Sequence, residues 1–482
     1  MRLSTPHGMS LSSGVPHLRV ASGCLLRPYF ATASFSNTHK ESATMFKKIL
    51  RRLVLGFVCL VLGLVLLLVL GSMALSLWAP AQENAVNQAW GQTLIDLRTL
   101  PSRFPPTRRN TTAHLLLDMI THARSTFSQL PVEKSCRTFI FEELERPTDD
   151  TLPLPEEVQG YLQAHAPRLT ELYQQVEAEP PHWDFDLKKR VVPNFIDHRD
   201  LTYLIACDIL EKTRQGHTRE ALAAFAAAWQ SNASLRKGPK TISQALAMGV
   251  DTVLAKVLRK MHDVPPIWQQ RLLEHDYYKA LQMVVAVRAW AVSDAYMRGE
   301  VFAEVFAHQE NTQSVVLDRL ESLFERSAAT WRKPLWRLAG VNILEAIRQG
   351  VLVLQQHDLC SMELDAASTA VHQAYTWWNP FVLGEEKWGL DLLPRAGKTM
   401  LTLEATQKIL YVKERRGMTQ QSTLLTAAPH LGSALCPGAY WEYHAMPDGT
   451  FTLTWSTNVP WLQSEGERAQ QLLVVQWGVP RQ

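Results

Sequence analysis

The sequence predicts a mainly α-helical protein with a single transmembrane helix, an α-helical ectodomain and a small antiparallel β region at the C-terminus. The first observation is an uncharged apolar stretch near the start of the chain, Leu53–Trp78. The second is a series of long segments whose apolar residues recur at helical spacing. The third is a pair of aromatic-rich segments on either side of the Pro447-Asp448-Gly449 turn.

Length and charge set the outer limits of this prediction. A chain of 482 residues exceeds the size at which single cores stop growing, so more than one packed unit is expected. A net charge of +3, from 49 basic and 46 acidic residues, predicts no nucleic-acid partner. The predicted divisions are a leader (1–44), a basic flank with the membrane anchor (45–80), a helical ectodomain (81–397) and a helix with a small sheet (398–482).

The stretch Leu53–Trp78 is the predicted membrane anchor, so membrane lipid is the first predicted partner. Its 26 uncharged residues would form a helix of about 39 Å, against roughly 30 Å of hydrocarbon in a bilayer. The apolar region of a signal peptide is shorter, about 7–15 residues, which favours an anchor that is not removed. Cleavage at the small residues Ala79 and Ala81 is the alternative.

Basic residues before the apolar stretch predict its orientation. They are Lys47, Lys48, Arg51 and Arg52. The next basic residue is Arg98, so the positive-inside rule predicts a cytoplasmic N-terminus and a large periplasmic or extracellular domain, anchored in the inner membrane of a bacterial cell. Residues 1–44 are either a transit-type leader or lie upstream of a start at Met45. We favour the start at Met45, since it yields a compact signal anchor.

The clearest helical unit lies within His198–Met261. Gly216 separates one apolar stripe from an alanine-rich helix, for which Thr218 is the predicted N-cap. Gly238 and Pro239 end that helix, and a third helix follows. A helix, a short glycine turn and an alanine-rich helix are the arrangement of a tetratricopeptide-like hairpin, although the sequence has no fixed repeat period.

Other segments with regular periodicity lie on both sides of this unit. The predicted helices are Asn84–Leu100, Thr111–Leu130, Glu156–Glu177, Pro265–Arg298, Thr312–Glu325, Leu335–Leu354, Met362–Trp377 and Lys398–Arg415. The predicted strands are Tyr440–His444, Phe451–Trp455 and Leu472–Trp477. Three short strands are enough for a small sheet that packs on a helix.

Four cysteines lie in the predicted ectodomain: Cys136, Cys207, Cys360 and Cys436. One interpretation is two disulfides, for which three connectivities exist, and the other is four buried thiols. Their wide spacing argues against a zinc site, and the sequence predicts no metal and no cofactor.

Two stretches resemble a group of uncharacterised bacterial signal-anchored helical proteins whose C-terminal region is similar to the head of type II secretion pseudopilins. The matching residues are His198–Ala206, Gly216–Leu222, Thr241–Leu246, Asn379-Pro380, Leu403–Gly417 and Tyr440–Trp455. Met418-Thr419 replaces the usual Tyr-Pro pair. Cys436-Pro437-Gly438 replaces an Asp-Pro pair in the region that can hold calcium in pseudopilins. The resemblance implies an architecture and leaves the activity open.

Two local patterns resemble catalytic motifs but lack the partners that the chemistry needs. Ala396–Thr399 ends like a phosphate-binding loop, yet Leu392 stands where its first glycine is required. Ser234 and Lys237 fit the Ser-x-x-Lys pattern of penicillin-binding enzymes without the accompanying Ser-Asp-Asn and Lys-Thr-Gly motifs. No catalytic residue is therefore predicted.

Two pairs, Asp197-His198 and Glu274-His275, place a histidine beside a carboxylate. Such a histidine can be a base or a metal ligand, but on an amphipathic helix it more often lies on a solvated face. A cleft joining all four residues would favour an enzyme.

Two aromatic segments contain the predicted binding residues. The first contributes Trp183, Asp184 and Asp186, and the second contributes Trp377 and Trp378. Together they predict an aromatic wall for a sugar ring or an extended peptide. The structural alternative is that these aromatics fix loops to the core.

The sequence thus predicts a membrane-anchored extracytoplasmic scaffold or binding protein, with an unknown envelope protein as partner, in envelope assembly or secretion. The alternative is an envelope hydrolase or transferase whose active site assembles from distant segments. A polymerising pseudopilin is disfavoured, because Phe57–Leu70 contains no acidic residue.

Overall fold

The computed structural model describes residues 39–126, 131–187, 196–298, 337–374, 390–417, 430–463 and 471–478. Within these residues the protein is mainly helical and has a four-stranded antiparallel sheet near the C-terminus. This confirms the predicted helical class and the small C-terminal β region. The predicted helix Thr312–Glu325 and the tryptophans Trp377 and Trp378 lie outside the described residues.

The described residues contain a series of helices. In chain order they are α1 (His39–Thr93), α2 (Leu100–Arg103), α3 (Thr111–Thr126), α4 (Pro131–Glu145), α5 (Glu156–Ala178), α6 (Ile196–Arg214), α7 (Thr218–Arg236), α8 (Thr241–Lys260), α9 (Ile267–Arg271), α10 (Tyr277–Arg298), α11 (337–355), α12 (Leu364–Ala374), α13 (Leu393–Gly417) and α14 (Pro460–Gln463). The strands are β1 (His430–Gly432), β2 (Tyr440–Ala445), β3 (Phe451–Trp455) and β4 (Val474–Trp477).

The apolar stretch predicted from the sequence lies in α1. The chain forms two compact units, one up to Leu70 and one from Gly71 onward. In the first unit the large apolar side chains of α1 from Leu53 to Leu70 are exposed. Among the described helices α8 is also long and apolar enough to cross a bilayer, but more than half of its most apolar window is buried. Burial explains the apolar character of α8 and does not explain that of α1.

The helix predicted at Asn84–Leu100 does not exist as a separate element. Instead α1 continues through Pro80, and the chain then forms a 3-10 turn, Leu97–Thr99, followed by α2. The Asp96 side chain accepts a hydrogen bond from the backbone N–H of Arg98 at 3.0 Å. Such local side-chain bonding competes with helical bonding, which explains why the helix ends early.

The predicted unit His198–Met261 forms α6, α7 and α8, which pack on one another. Gly216 separates α6 from α7 with a φ of 77°, which glycine adopts without strain. The predicted N-cap at Thr218 is wrong. The carbonyl of His217 already accepts the backbone N–H of Ala221 at 3.0 Å, so His217 is the cap and Thr218 is helical.

Two further helix predictions need correction. Pro265–Arg298 is not one helix, because the Asp276 carboxylate accepts the backbone N–H of Lys279 at 3.0 Å and thereby caps a new helix, α10. Helix α4 was not predicted, although its buried residues Cys136 and Ile140 have helical spacing.

The C-terminal sheet has the strand order β1-β2-β3-β4, with every neighbouring pair antiparallel. The predicted hairpin is confirmed, since Ala445 pairs with Phe451 and Gly449 in the turn has a φ of 85°. The side chains of β3 alternate between buried and half-buried, as predicted for a half-buried strand. The short strand β1 was not predicted, because three residues carry too little alternation.

A buried carboxylate joins the sheet to the helices. Glu404 of α13 is fully buried and accepts hydrogen bonds from the Ser433 hydroxyl at 3.0 Å and the Trp441 indole at 3.2 Å. A disulfide between Cys360 and Cys436 makes a second connection. The predicted domain boundary after residue 397 falls inside α13.

The cysteines match neither interpretation in full, because the structure has one disulfide and one pair of buried thiols. Cys360 and Cys436 are bonded. Cys136 of α4 and Cys207 of α6 are both buried as thiols, and their Sγ atoms lie 3.0 Å apart. Burial raises the pKa of the Cys207 thiol, which disfavours the thiolate that nucleophilic chemistry requires.

A fully buried ion pair connects α4 to α8. The Lys260 ammonium lies 2.8 Å from the Glu143 carboxylate, and both side chains are 0% exposed. Arg146 also donates to Glu143, at 2.8 Å. Burial lowers the pKa of Lys260, while the bond to Glu143 acts in the opposite direction. The pair therefore fixes the ends of both helices through charges that have no access to water.

We expect Glu143→Gln to lower the free energy of unfolding by about 3 kcal/mol, because it leaves the Lys260 charge buried and uncompensated. The measurement is denaturant unfolding of the full chain in detergent. The control is Lys279→Gln, which breaks an exposed ion pair with Asp276 and should change stability by less than about 0.5 kcal/mol. Equal losses in the two variants would contradict the interpretation.

Candidate binding site

An apolar cleft of about 240 Å³ lies between the segment after α2 and the turn that joins α7 to α8. Its walls are mostly prolines, aromatic rings and backbone. The residues lining it include Phe104, Pro105, Pro181, Trp183, Phe185 and Pro239. Arg103, Lys237 and Lys240 add positive charge to the lining.

One wall consists of two chain segments joined by a short antiparallel bridge. The backbone N–H of Thr107 donates to the carbonyl of Phe185 at 2.9 Å, and the reverse bond measures 3.2 Å. The Thr107 hydroxyl donates to the carbonyl of Trp183 at 2.6 Å. The rings of Phe104 and Phe185 meet edge to face, with centroids 6.2 Å apart. These contacts hold an otherwise irregular wall in one conformation.

Asp184, a predicted binding residue, is engaged within this wall. Its carboxylate accepts the backbone N–H of Arg109 at 2.9 Å and also forms an ion pair with the guanidinium of Arg109. The bond from the backbone N–H, together with the guanidinium, lowers the pKa of Asp184. Asp184 therefore positions the wall and has little free bonding capacity for a ligand.

Trp183, also predicted, connects the wall to the helices. Its indole N–H donates to the Ser234 hydroxyl at 2.7 Å. The ring is 8% exposed and meets the ring of His198 edge to face at 6.4 Å. One part of this ring lines the cleft and another part packs in the core, so Trp183 anchors the wall, and its binding role stays a prediction.

The remaining predicted residues have different positions. Asp186 is not among the cleft-lining residues, but its charge acts on Lys240. Burial lowers the pKa of Lys240, Asp186 opposes that shift, and the Lys240 ammonium lies 5.6 Å from the Phe185 ring centroid. Trp377 and Trp378 lie outside the described residues. The opposite wall of this cleft comes from the α7–α8 turn. The sequence indicated this turn through Gly238 and Pro239 but did not indicate that it would line a site.

The serine of the Ser-x-x-Lys pattern in α7 has a structural role. The Ser234 hydroxyl donates to the carbonyl of Ser231 at 2.6 Å while it accepts the indole N–H of Trp183. Lys237 is exposed, and no hydrogen bond within the described chain joins it to Ser234. A serine whose proton is held by a backbone carbonyl has no base to activate it.

The two histidines beside acids occupy separate environments. His198 is buried against Trp183, its Nδ1 atom has no hydrogen-bond partner, and burial lowers its pKa to about 4. His275 lies 3.4 Å from the Gln244 side chain, and burial also lowers its pKa to about 4. Glu274 is exposed. Across the described part of the chain, no hydrogen bond or ion pair joins these residues into the catalytic cleft that would favour an enzyme.

A buried polar network lies next to the cleft and fixes its α7 wall. Asp251 of α8 accepts hydrogen bonds from Asn232 at 2.6 Å and from the Tyr277 hydroxyl at 2.6 Å, and it forms an ion pair with Arg236. The Arg236 guanidinium also lies 4.1 Å from the Trp229 ring centroid. These bonds hold the last turn of α7, which contributes Ser234 and Leu235 to the cleft.

The remaining motifs do not supply a site. Gly397, in the phosphate-loop-like segment, lies inside α13, where an added Cβ atom would meet the Trp461 ring at 2.3 Å. Its role is close packing of a helix on an indole ring. Over the ranges that the structure covers, no group of three or more His, Cys, Asp or Glu side chains could hold a metal ion.

Comparison with protein-family models, curated proteins and solved structures finds no match to this chain. The fold and the cleft themselves define a mainly helical protein with a C-terminal antiparallel sheet. Its apolar cleft contains polar groups that chiefly bond to one another.

We expect His198→Gln to reduce the pH dependence of stability. The folded pKa of about 4 lies below the ordinary value of 6.5, so between these values only the unfolded chain takes up the proton. The free energy of unfolding should therefore fall by about 2 kcal/mol between pH 7.5 and pH 5 for this histidine alone, and His275 should add a similar slope.

Denaturant unfolding of the full chain at the two pH values measures this effect. In His198→Gln, the part of the decrease in unfolding free energy that comes from His198 should disappear. His372→Gln is the matched control, because His372 is exposed. An unchanged slope in His198→Gln would show that His198 is not buried in its neutral form.

Proposed function

We propose that this chain is a single-pass protein of the bacterial inner membrane whose N-terminus is cytoplasmic and whose helical domain is periplasmic. In this proposal the domain is a scaffold or binding protein for another envelope protein, in envelope assembly or secretion. The apolar cleft lined by Phe104, Trp183 and Phe185 is the observation that carries the binding role.

The exposure of α1 supports the anchor. Its apolar side chains from Leu53 to Leu70 face outward on every side of the helix. A continuous apolar surface of this size is unfavourable in water, whereas a bilayer core would bury it. The basic residues just before it, Lys47 to Arg52, support the proposed orientation.

The disulfide supports export. Disulfides persist in oxidising compartments such as the bacterial periplasm and are rare in the cytosol. Cys360 and Cys436 are bonded, and Cys136 and Cys207 lie close enough that they could also be oxidised. Both pairs belong to the unit that begins at Gly71.

The use of polar groups in the cleft favours binding over chemistry. Ser234 is engaged by Trp183 and Ser231, and Asp184 is engaged by Arg109. What the cleft offers a ligand is therefore apolar surface with basic residues among its lining. A short extended peptide that combines an apolar side chain with an acidic residue has the complementary chemistry.

The packing of α6 on α7 across Gly216 supports a tetratricopeptide-like hairpin, a unit that often presents surfaces to partner proteins. The link to secretion or envelope assembly rests on the resemblance of Tyr440–Trp455 to a pseudopilin head. The hairpin of β2 and β3 is consistent with that resemblance.

We expect a periplasm-dependent reporter, such as alkaline phosphatase, to be active when it is fused after Gln482. The protein should also remain in membranes during carbonate extraction. Replacing Lys47, Lys48, Arg51 and Arg52 together by Glu removes the charges that hold the N-terminus inside and should reduce reporter activity strongly.

Non-reducing peptide mapping of the same two proteins gives a second readout. The exported form should contain the Cys360–Cys436 bond and a Cys136–Cys207 bond, whereas the retained form should contain four alkylatable thiols. An inactive reporter after Gln482, or four free thiols in the unaltered protein, would contradict the proposed location.

A photo-reactive amino acid at the cleft tests the binding role. With benzoylphenylalanine in place of Arg103 or Lys237, we expect crosslinks to the same envelope protein from both positions. The control position is Glu142, which is exposed on α4 and does not line the cleft. If Lys237 and Lys240 recognise an acidic partner, their replacement by Glu should reduce the Arg103-position crosslink at least about fivefold. Identical adducts from all three positions would contradict the proposal.

A further inference from the structure

A second and larger cleft, of about 920 Å³, lies between the ends of α4 and α8, one side of α13, and β4. This volume is within the range of about 300–1,000 Å³ that is usual for small-molecule sites. The residues lining it are Leu144, Glu145, Pro147, Lys256, Arg259, Lys398, Thr402, Ala405, Leu472, Val474, Val475, Gln476 and Trp477. None of the residues lining the first cleft takes part.

The charges of this second cleft are unbalanced. Its lining contains three basic residues, Lys256, Arg259 and Lys398, and one acidic residue, Glu145. Glu145 is 71% exposed and pairs with Lys256 at 2.5 Å. The carboxylate of Glu145 therefore lies in contact with solvent, whereas Arg259 is buried.

Arg259 is the distinctive group of this cleft. The residue is only 7% exposed, yet it has no ion pair with a carboxylate among the described residues. Its Nε atom donates to the Thr406 hydroxyl at 2.7 Å, and its Nη2 atom donates to the carbonyl of Thr402 at 3.0 Å. Its Nη1 atom has no bonding partner within the described chain and is not fully enclosed.

Burial lowers the pKa of Arg259 to about 10, although the charge of Glu145 opposes this shift, and the guanidinium stays charged at neutral pH. A buried guanidinium that no carboxylate contacts directly can still gain from a complementary group that bonds to it. The two hydrogen bonds that Arg259 donates to Thr406 and Thr402 fix the plane of the guanidinium. A planar fork held in this way is suited to a carboxylate or a phosphate, which can accept two parallel N–H bonds.

Apolar side chains form another part of the lining, beside the polar residues Thr402 and Gln476. Leu144, Ala405 and Leu472 face the cleft from three different elements, and Val475 and Trp477 line it from β4. The indole N–H of Trp477 is already used, because it donates to Asp149 at 2.8 Å. A ligand here would meet the basic residues Arg259, Lys256 and Lys398 and an apolar surface in the same cleft.

We propose that this second cleft binds an anionic amphiphile, a molecule with one carboxylate or phosphate group on an apolar body, through Arg259 and Lys256. The anion lies against the guanidinium of Arg259, and the apolar body lies against Leu144, Ala405 and Leu472. The proposal does not depend on the binding role of the first cleft, because the two sites share no residue.

The test uses the full chain in nanodiscs of phosphatidylcholine and measures binding by titration calorimetry. Hexyl phosphate and hexanoate are the probes. Hexanol has only the apolar chain and inorganic phosphate has only the anion, so these two compounds are the controls. We expect hexyl phosphate to bind at least about tenfold tighter than hexanol or inorganic phosphate. Arg259→Gln and Lys256→Gln should each weaken hexyl phosphate binding by about tenfold or more, a change of about 1.4 kcal/mol.

Lys279→Gln is the matched control, since it removes an exposed lysine from α10 that does not line the cleft. It should leave binding unchanged. If Arg259→Gln does not fold, Lys256→Gln and Lys398→Gln decide the question. The proposal is overturned if hexyl phosphate binds no tighter than hexanol, or if the cleft variants behave like Lys279→Gln.

The same assay distinguishes a membrane lipid from a soluble acid as the natural source of the anion. If the natural ligand is an anionic lipid, nanodiscs with one third phosphatidylglycerol should weaken hexyl phosphate binding to the unaltered protein, because the lipid competes for the cleft. Hexyl phosphate binding to Arg259→Gln should then be the same in both kinds of nanodisc. Unchanged binding in these nanodiscs would assign the site to soluble amphiphilic acids.

Discussion

The hydrogen bonds and the ion pair of the buried Asp251 carboxylate are the interactions on which the packing of α7, α8 and α10 depends. It lies on α8 and is bonded from α7 by Asn232 and Arg236 and from α10 by Tyr277. A buried charge requires its partners, because each unpaired group would lose hydration without compensation. The three helices are therefore held in one relative arrangement, and the last turn of α7 is fixed where it forms a wall of the first cleft.

Two other buried carboxylates also join separate elements. Glu143 joins α4 to α8 through Lys260, and Glu404 joins α13 to the sheet through Ser433 and Trp441. Directional bonds of this kind specify an arrangement that apolar packing alone leaves adjustable. The second cleft lies among these same elements, so its shape depends on the same buried charges.

The two clefts differ in how their polar groups are used. In the first, Asp184 and Ser234 bond to neighbouring protein groups, and the ligand-facing surface is mainly apolar. In the second, Arg259 is bonded only by neutral oxygens and retains charge for a ligand. We therefore propose a peptide segment with apolar contacts for the first cleft and an anionic amphiphile for the second.

Local patterns were enough to predict the helical class, the uncharged stretch Leu53–Trp78 and the hairpin around Gly449, because periodicity and turn residues act over a few positions. They were not enough to predict the end of α1, the Cys360–Cys436 pair or the roles of Asp184 and Ser234. Those features depend on partners that are distant along the chain or on competition between local bonds. Such contacts exist only after the helices have packed, so long-range packing determines where the clefts lie and which residues line them.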